Sequence, residues 1–193
     1  MTITIIGHGY VGLVTACVFA DFGNHVWVIG HTKEKIASLK SGDPIIYEPG
    51  LKELLQKNIQ TKRISFTLDY EKAIPESEIV LITVGTPPKE TGEADLTAVI
   101  EVARNIGKNL KSKFTVISCK STVPVGTNKK IEVIINRHKS KQVDFAVASC
   151  PEFLREGTGI SDTINADRVV IGSDNKKAIE ELVILHKPIN GKR

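Results

Sequence analysis

The chain has 193 residues, enough for one ordinary domain and too few for two full-sized ones. Hydrophobic residues at 41% and charged residues at 25% give the balance of a globular protein with a core, which excludes a disordered chain. A formal net charge of +4 and 5% aromatic residues are too little for a nucleic-acid surface with stacking platforms, although the mild positive charge suits an anionic small ligand.

Short runs rich in Val and Ile alternate with longer helical patterns along the whole chain. In order, the sequence predicts a strand at 3–6, a helix at 11–22, a strand at 25–29 and helices at 33–39 and 49–57. A strand at 79–84, a helix at 97–110, a strand at 115–118 and a helix at 127–136 follow. Strands at 145–148 and 169–171 and a helix at 176–186 complete the series. In the 127–136 segment, Ile131, Ile134 and Ile135 recur at helical spacing. The strands are apolar at nearly every position, as in a parallel sheet buried on both faces. Such alternation predicts an α/β, Rossmann-type, doubly wound and mainly parallel sheet with helices on both faces. A single domain over 1–186 is expected, with 187–193 as a polar tail or the start of a linker.

Cys17, Cys119 and Cys150 are far apart and form no C-x-x-C pair, so neither a disulfide framework nor a zinc site is indicated and the cytoplasm is the default compartment. The five histidines show no metal-binding spacing, and no metal is expected. The first apolar stretch lacks a basic leader and is broken by Gly7, His8, Gly9 and Asp21, so it reads as folded protein. No apolar run approaches the ~18 residues of a membrane span. The lysine runs at 129–130, 139–141 and 176–177 read as solvated helix faces.

Residues 7–13 read G-H-G-Y-V-G-L, between a predicted strand and a predicted helix. In a dinucleotide fingerprint Gly7 permits the tight turn, Gly9 lets the backbone approach a pyrophosphate, and Gly12 lets the helix pack closely. The first helical N–H groups, at Tyr10 and Val11, would face the phosphates. A tight strand–helix turn without a ligand is the competing reading.

Further motifs follow in fixed order: Y-E-P-G-L (47–51), V-G-T-P (84–87), K-S-T-V-P-V-G-T (120–127), P-E-F-L-R-E-G (151–157) and D-R-V-V-I-G (167–172). With the glycine turn, they resemble the UDP-glucose/GDP-mannose dehydrogenase family over essentially the whole chain. The resemblance implies an NAD-dependent oxidoreductase that takes the C6 alcohol of UDP-glucose, or a related sugar nucleotide, through an aldehyde to a carboxylate. A cysteine thioester is the implied intermediate. Only the cofactor-binding part of such an enzyme is matched. The connecting helix and the G-x-C-x-P-K nucleophile motif are not in these residues, which suits an excised domain or a naturally truncated product. Full turnover by the 193 residues alone is therefore not expected, and a stand-alone dinucleotide module without activity is the alternative. The oligomeric state stays open, because the family's dimer rests mainly on the connecting helix.

By the same resemblance Thr86, Ser121 and Thr122 contact the cofactor near the nicotinamide, and Lys35 joins the cofactor set. Thr122 holds a water or hydroxyl, and Glu152 assists thioester hydrolysis as the second catalytic group. Phe153, Leu154, Arg155 and Glu156 form the loop that holds the nucleotide sugar. Simpler readings compete: helix capping for Ser121 or Thr122, an ordinary rim carboxylate for Glu152, and a structural clamp from Arg155 to Glu156 or Asp162. None of the three cysteines occupies the family's nucleophile motif, and buried small residues are expected.

Gly30 departs from the pattern. An acidic residue is expected about there to bind the adenosine ribose hydroxyls, and His31, Thr32 and Lys33 supply none. Two outcomes follow: a turn toward NADP, with Thr32 and Lys33 on the 2′-phosphate, or a weakened NAD site. The absence of an Arg favours the weakened site, and on that reading Gly30→Asp strengthens NAD binding several-fold.

Overall fold

Six parallel strands lie in the order β3-β2-β1-β4-β5-β6. They are β1 (Thr2–Ile6), β2 (His25–Ile29), β3 (Ile64–Thr67), β4 (Ile79–Ile82), β5 (Thr115–Cys119) and β6 (Phe145–Ser149). The computed structural model describes residues 1–111 and 114–189, so residues 190–193 of the expected tail lie outside the described residues. The order reverses between β1 and β4, which opens a crevice at their C-terminal ends. Register keeps that edge level: Ile6 pairs with Ile29 and Ile82, and Cys119 pairs with Ile82 and Ser149.

Helices cover both faces. α1 (Tyr10–Asp21), α2 (Lys33–Lys40), α3 (Leu51–Gln60) and α8 (Lys176–His186) pack around one core containing Ile3, Ile5, Leu13, Phe19 and Leu55. α4 (Tyr70–Ala73), α5 (Thr97–Asn109) and α6 (Thr127–His138) belong to the other, with Val80, Ile82, Ile106, Ile117 and Ile135. α1 is buried continuously from Gly12 to Ala20, because β1 lies beneath it while α3 and α7 (Gly159–Ile164) flank it. Its largely apolar sequence, interrupted in the buried stretch by Thr15 alone, matches that position.

The predicted strand at 169–171 is not formed. Val169 and Val170 are 37% and 44% exposed. After α7 the chain reaches β6 only at Gly172, where it exchanges two backbone hydrogen bonds with Ser149 in an isolated antiparallel bridge. The valine pair therefore never joins a ladder. The strand predicted at 79–84 ends at Ile82, which leaves Thr83 and Val84 in the loop. β3 and α7 were not legible in the sequence. β3 has four residues and buries its edge-strand side chains at Ile64 and Phe66, while α7 is a six-residue turn of helix, G-I-S-D-T-I. In the tail, Ile189 donates its N–H to the His186 carbonyl and packs partly buried against the first core.

Candidate functional site

The three fingerprint glycines are constrained in three different ways. Gly7 has φ +125°, and a Cβ there would lie 2.6 Å from Thr83 Oγ1. At Gly12 a Cβ would overlap the Gly7 carbonyl and approach Thr83 Oγ1 to 2.7 Å. Only glycine fits either position. At Gly9 a Cβ would meet nothing within 4 Å, so the protein leaves open space over the start of α1. The first helical bond runs from Leu13 N–H to the Gly9 carbonyl, at 2.9 Å. The N–H groups of Tyr10, Val11 and Gly12 precede it and remain available at the positive end of the helix. Thr83, not singled out from sequence, braces the turn by donating its hydroxyl to the Ile6 carbonyl at 3.0 Å.

Loops from β4 and β5 form the opposite wall. Thr86 donates its hydroxyl to the Thr122 carbonyl at 2.9 Å, and Ser121 donates to the Val84 carbonyl at 2.7 Å. Gly126 is the residue before α6, so neither Ser121 nor Thr122 caps that helix. Thr122 is exposed, and its hydroxyl makes no hydrogen bond among the described residues.

Glu152, Phe153, Leu154 and Arg155 line a cavity of about 320 Å³ together with Lys120 and Cys150. Glu152 accepts the Leu154 N–H at 2.5 Å, which fixes the carboxylate at the rim. Phe153 is largely exposed, with the Arg168 guanidinium 5.2 Å from its ring centre. Arg155 is the clamp: its side chain grips Asp162 at 2.7 and 3.1 Å, and its own N–H reaches the same carboxylate. That grip holds the Asp162 carboxyl at about 2, below the usual carboxylate range. Glu156 is exposed and is not among the cavity-lining residues.

Cys150 faces His186 across this cavity, with Sγ 3.7 Å from Nε2. Thirty-six residues separate the two, which is why the sequence did not pair them. The pair does not make a thiolate, because burial pushes the Cys150 thiol up and holds His186 down near 4, with nearby Lys120 adding to the His186 shift. Cys17 and Cys119 are likewise buried, and burial pushes them to about 12 and about 11. His186 gives a pH prediction. Its folded-state value lies below the unfolded 6.5, so the unfolded chain takes up a proton first as pH falls. Stability is complete above pH 6.5 and declines by about 3 kcal/mol by pH 4. Denaturant titrations of wild type and His186→Gln across that range should differ in slope, and identical slopes would refute the assignment.

Tyr10 and Glu48 join the glycine turn to the 155–160 loop. The Tyr10 hydroxyl lies 2.7 Å from Glu48 Oε2 and 2.8 Å from the Arg155 carbonyl, and it accepts the Gly159 N–H. Glu48, 5% exposed, also accepts the N–H groups of Gly157 at 2.8 Å and Ile160 at 3.2 Å. A Cβ on Gly159 would overlap the Tyr10 hydroxyl. Desolvation, reinforced by the bond to Glu48, raises Tyr10 to about 12. The Y-E-P-G-L motif contained this glutamate, but Tyr10 lies 38 residues before it and its backbone partners lie more than 100 residues on.

At the C-terminal end of β2, Gly30 carries no side chain and Lys35 lies exposed on α2. No helix among the described residues is long and apolar enough to cross a membrane, and no group of His, Cys, Asp and Glu among them could hold a metal ion.

A sequence model described as the UDP-glucose/GDP-mannose dehydrogenase family, NAD binding domain, matches residues 1–190. A UDP-glucose 6-dehydrogenase of Bacillus subtilis, TuaD, is 48% identical over 188 residues, covering 97% of this chain and 41% of its own length. A UDP-glucose 6-dehydrogenase of Rhizobium meliloti is 45% identical over 192 residues, again with 98% and 44% covered. Among solved structures, a GDP-mannose dehydrogenase ternary complex from Pseudomonas aeruginosa superposes with a TM-score of 0.95 at 37% identity, over 99% of this chain and 45% of that one. The chain thus spans about two-fifths of the length of the curated relatives it matches.

Proposed function

The chain belongs to the UDP-glucose/GDP-mannose dehydrogenase family, and from that premise we propose that it forms the dinucleotide-binding part of an oxidoreductase acting on the C6 alcohol of a nucleotide sugar, UDP-glucose first among the candidates. We read residues 1–186 as that domain. The observation that carries the reading is Gly9, where the only open fingerprint position lies over free helix N–H groups at the sheet's switch point. Those residues fit a pyrophosphate: close packing at Gly7 and Gly12 shapes the turn, and clearance at Gly9 admits the ligand.

The roles given to the remaining residues are those the family resemblance implies, and their places in the fold support them. Gly7, Gly9, Tyr10, Val11 and Gly12 hold the phosphates of NAD. Thr86 and Ser121 set the wall beside the nicotinamide, and the unpartnered Thr122 hydroxyl orients the alcohol or a water. When bound, NAD supplies a hydride acceptor. Glu152, at the cavity rim, activates the water that releases the carboxylate. Phe153, Leu154, Arg155 and Glu156 form the sugar-nucleotide side, where Arg155 acts chiefly through its grip on Asp162 and shapes the loop. None of the three cysteines suits the covalent step, since each is buried with a raised thiol. The carboxylate-forming second oxidation therefore needs a thiol from outside these residues. Three free, buried cysteines also suit the reducing cytoplasm.

Calorimetric titration of the folded chain with NAD and with UDP-glucose tests this. A single saturable dinucleotide site is expected, and no binding of any nicotinamide dinucleotide by folded protein would overturn the reading.

A further inference from the structure

The space beside Gly30 is walled in an unusual way. A Cβ there would lie 2.6 Å from the Ile36 side chain and 3.0 Å from His8 Nδ1. His8 is 3% exposed, and Nδ1 has no hydrogen-bond partner among the described residues. A buried ring nitrogen without a partner calls for an explanation. The His8 ring stands edge-on to His31 at 4.7 Å. Burial, with the His31 and Lys35 charges adding to it, lowers His8 below the usual imidazole range. It therefore offers a neutral ring nitrogen, while His31 and Lys35 supply the positive charge. Thr32 begins α2, and its hydroxyl makes no capping bond. Lys33 and Lys35 are exposed on the first turn of that helix, where Glu34 is the only carboxylate.

In this fold the end of the second strand meets the adenosine ribose. A carboxylate there bonds the 2′-hydroxyl and repels a 2′-phosphate, whereas a cation does the reverse. Here no carboxylate stands at the strand end, and His8, His31 and Lys35 come together beside Gly30 at the start of the helix that Thr32 and Lys33 open. We propose that this cluster is a phosphate-monoester site for the 2′-phosphate of NADP, so that the domain binds NADP more tightly than NAD. The proposal rests on the dinucleotide reading of the glycine turn. It also revises the sequence-based preference for a weakened NAD site, which weighed only Thr32, Lys33 and the lack of Arg. Lys35 is the third residue of α2, close to Gly30 along the chain, whereas His8 comes from the glycine turn and only the fold brings it to Gly30.

Titrating the 193-residue protein with NAD, NADP, 5′-AMP and 2′,5′-ADP, at low and high salt, tests the site. NADP is expected to bind about tenfold tighter than NAD, the effect of one charge-assisted contact. The same ratio should separate 2′,5′-ADP from 5′-AMP and should shrink with salt. Lys35→Glu, on an exposed position, should cancel the ratio. Gly30→Asp should invert it by weakening NADP and strengthening NAD, provided Ile36 turns aside. If wild type binds NAD but prefers it to NADP or shows no preference, the 2′-phosphate site is refuted while the dinucleotide reading stands. Binding of neither dinucleotide refutes both. An NADP preference unchanged in Lys35→Glu also removes the cluster as its cause.

Discussion

Gly9→Val is expected to abolish dinucleotide binding and to leave the domain folded. Gly9 has φ −76° and ψ −168°, an extended conformation that a β-branched residue adopts readily. A Cβ at this position touches nothing within 4 Å, so valine meets no steric penalty inside the protein. Its two methyl groups would instead occupy the open space that the pyrophosphate needs. Affinity should fall about a hundredfold or more, whereas the melting temperature should move by no more than about 2 °C, the scale of a surface change. Gly7 and Gly12 are unsuitable for this experiment, because added side chains there strike Thr83 and the turn itself. Calorimetry with each dinucleotide, alongside a thermal melt, separates the two effects. A folded Gly9→Val protein with unchanged affinity would remove the glycine turn from the binding site.

The second large effect belongs to Glu48. Its carboxylate accepts the backbone N–H groups of Gly157 and Ile160 and faces the Tyr10 hydroxyl, all in a largely buried setting. Glu48→Ala leaves the Gly157 and Ile160 N–H groups unpaired and the Tyr10 hydroxyl with the Arg155 carbonyl alone, and each lost charge-assisted bond costs about 1.5–3 kcal/mol. A net loss of about 3 kcal/mol, or a lowering of the melting temperature by about 6–12 °C in a domain of this size, is expected. Glu48→Gln retains one acceptor oxygen and should recover part of the loss. Two measurements distinguish this tie from general destabilisation. Hydrogen exchange at Gly157 and Ile160 should accelerate more than in the core strands. The alkaline titration of Tyr10 should move down from about 12 toward its ordinary value, because the bond to Glu48 is one of the causes of its rise. Unaltered protection of those two amides would refute the role given to Glu48.

The consequence reaches both halves of the site. Tyr10 opens the helix proposed to receive the phosphates, and the loop it holds carries Arg155 and Glu156 on the proposed sugar side. Order at one end is thus tied mechanically to order at the other through one buried carboxylate.

The sequence by itself determined the parallel sheet, most helices, the glycine turn and the family, because each is written in local runs. Buried strands must be apolar at every position, and a tight turn before a helix needs glycine at fixed spacings. It did not determine the fate of residues 169–171, whose valines look like a strand but have no partner beyond Gly172. Nor did it reveal β3, whose four residues are a strand because they pair in register with Val26–Ile29 of β2. The same holds for the contacts that define the site. Cys150 with His186, Glu48 with Gly157, and His8 with Gly30 are set by which strand ends and loops share the C-terminal edge. Hydrogen bonds and charge act over a few ångströms of space, whatever the separation along the chain, so only the tertiary structure could bring those groups together.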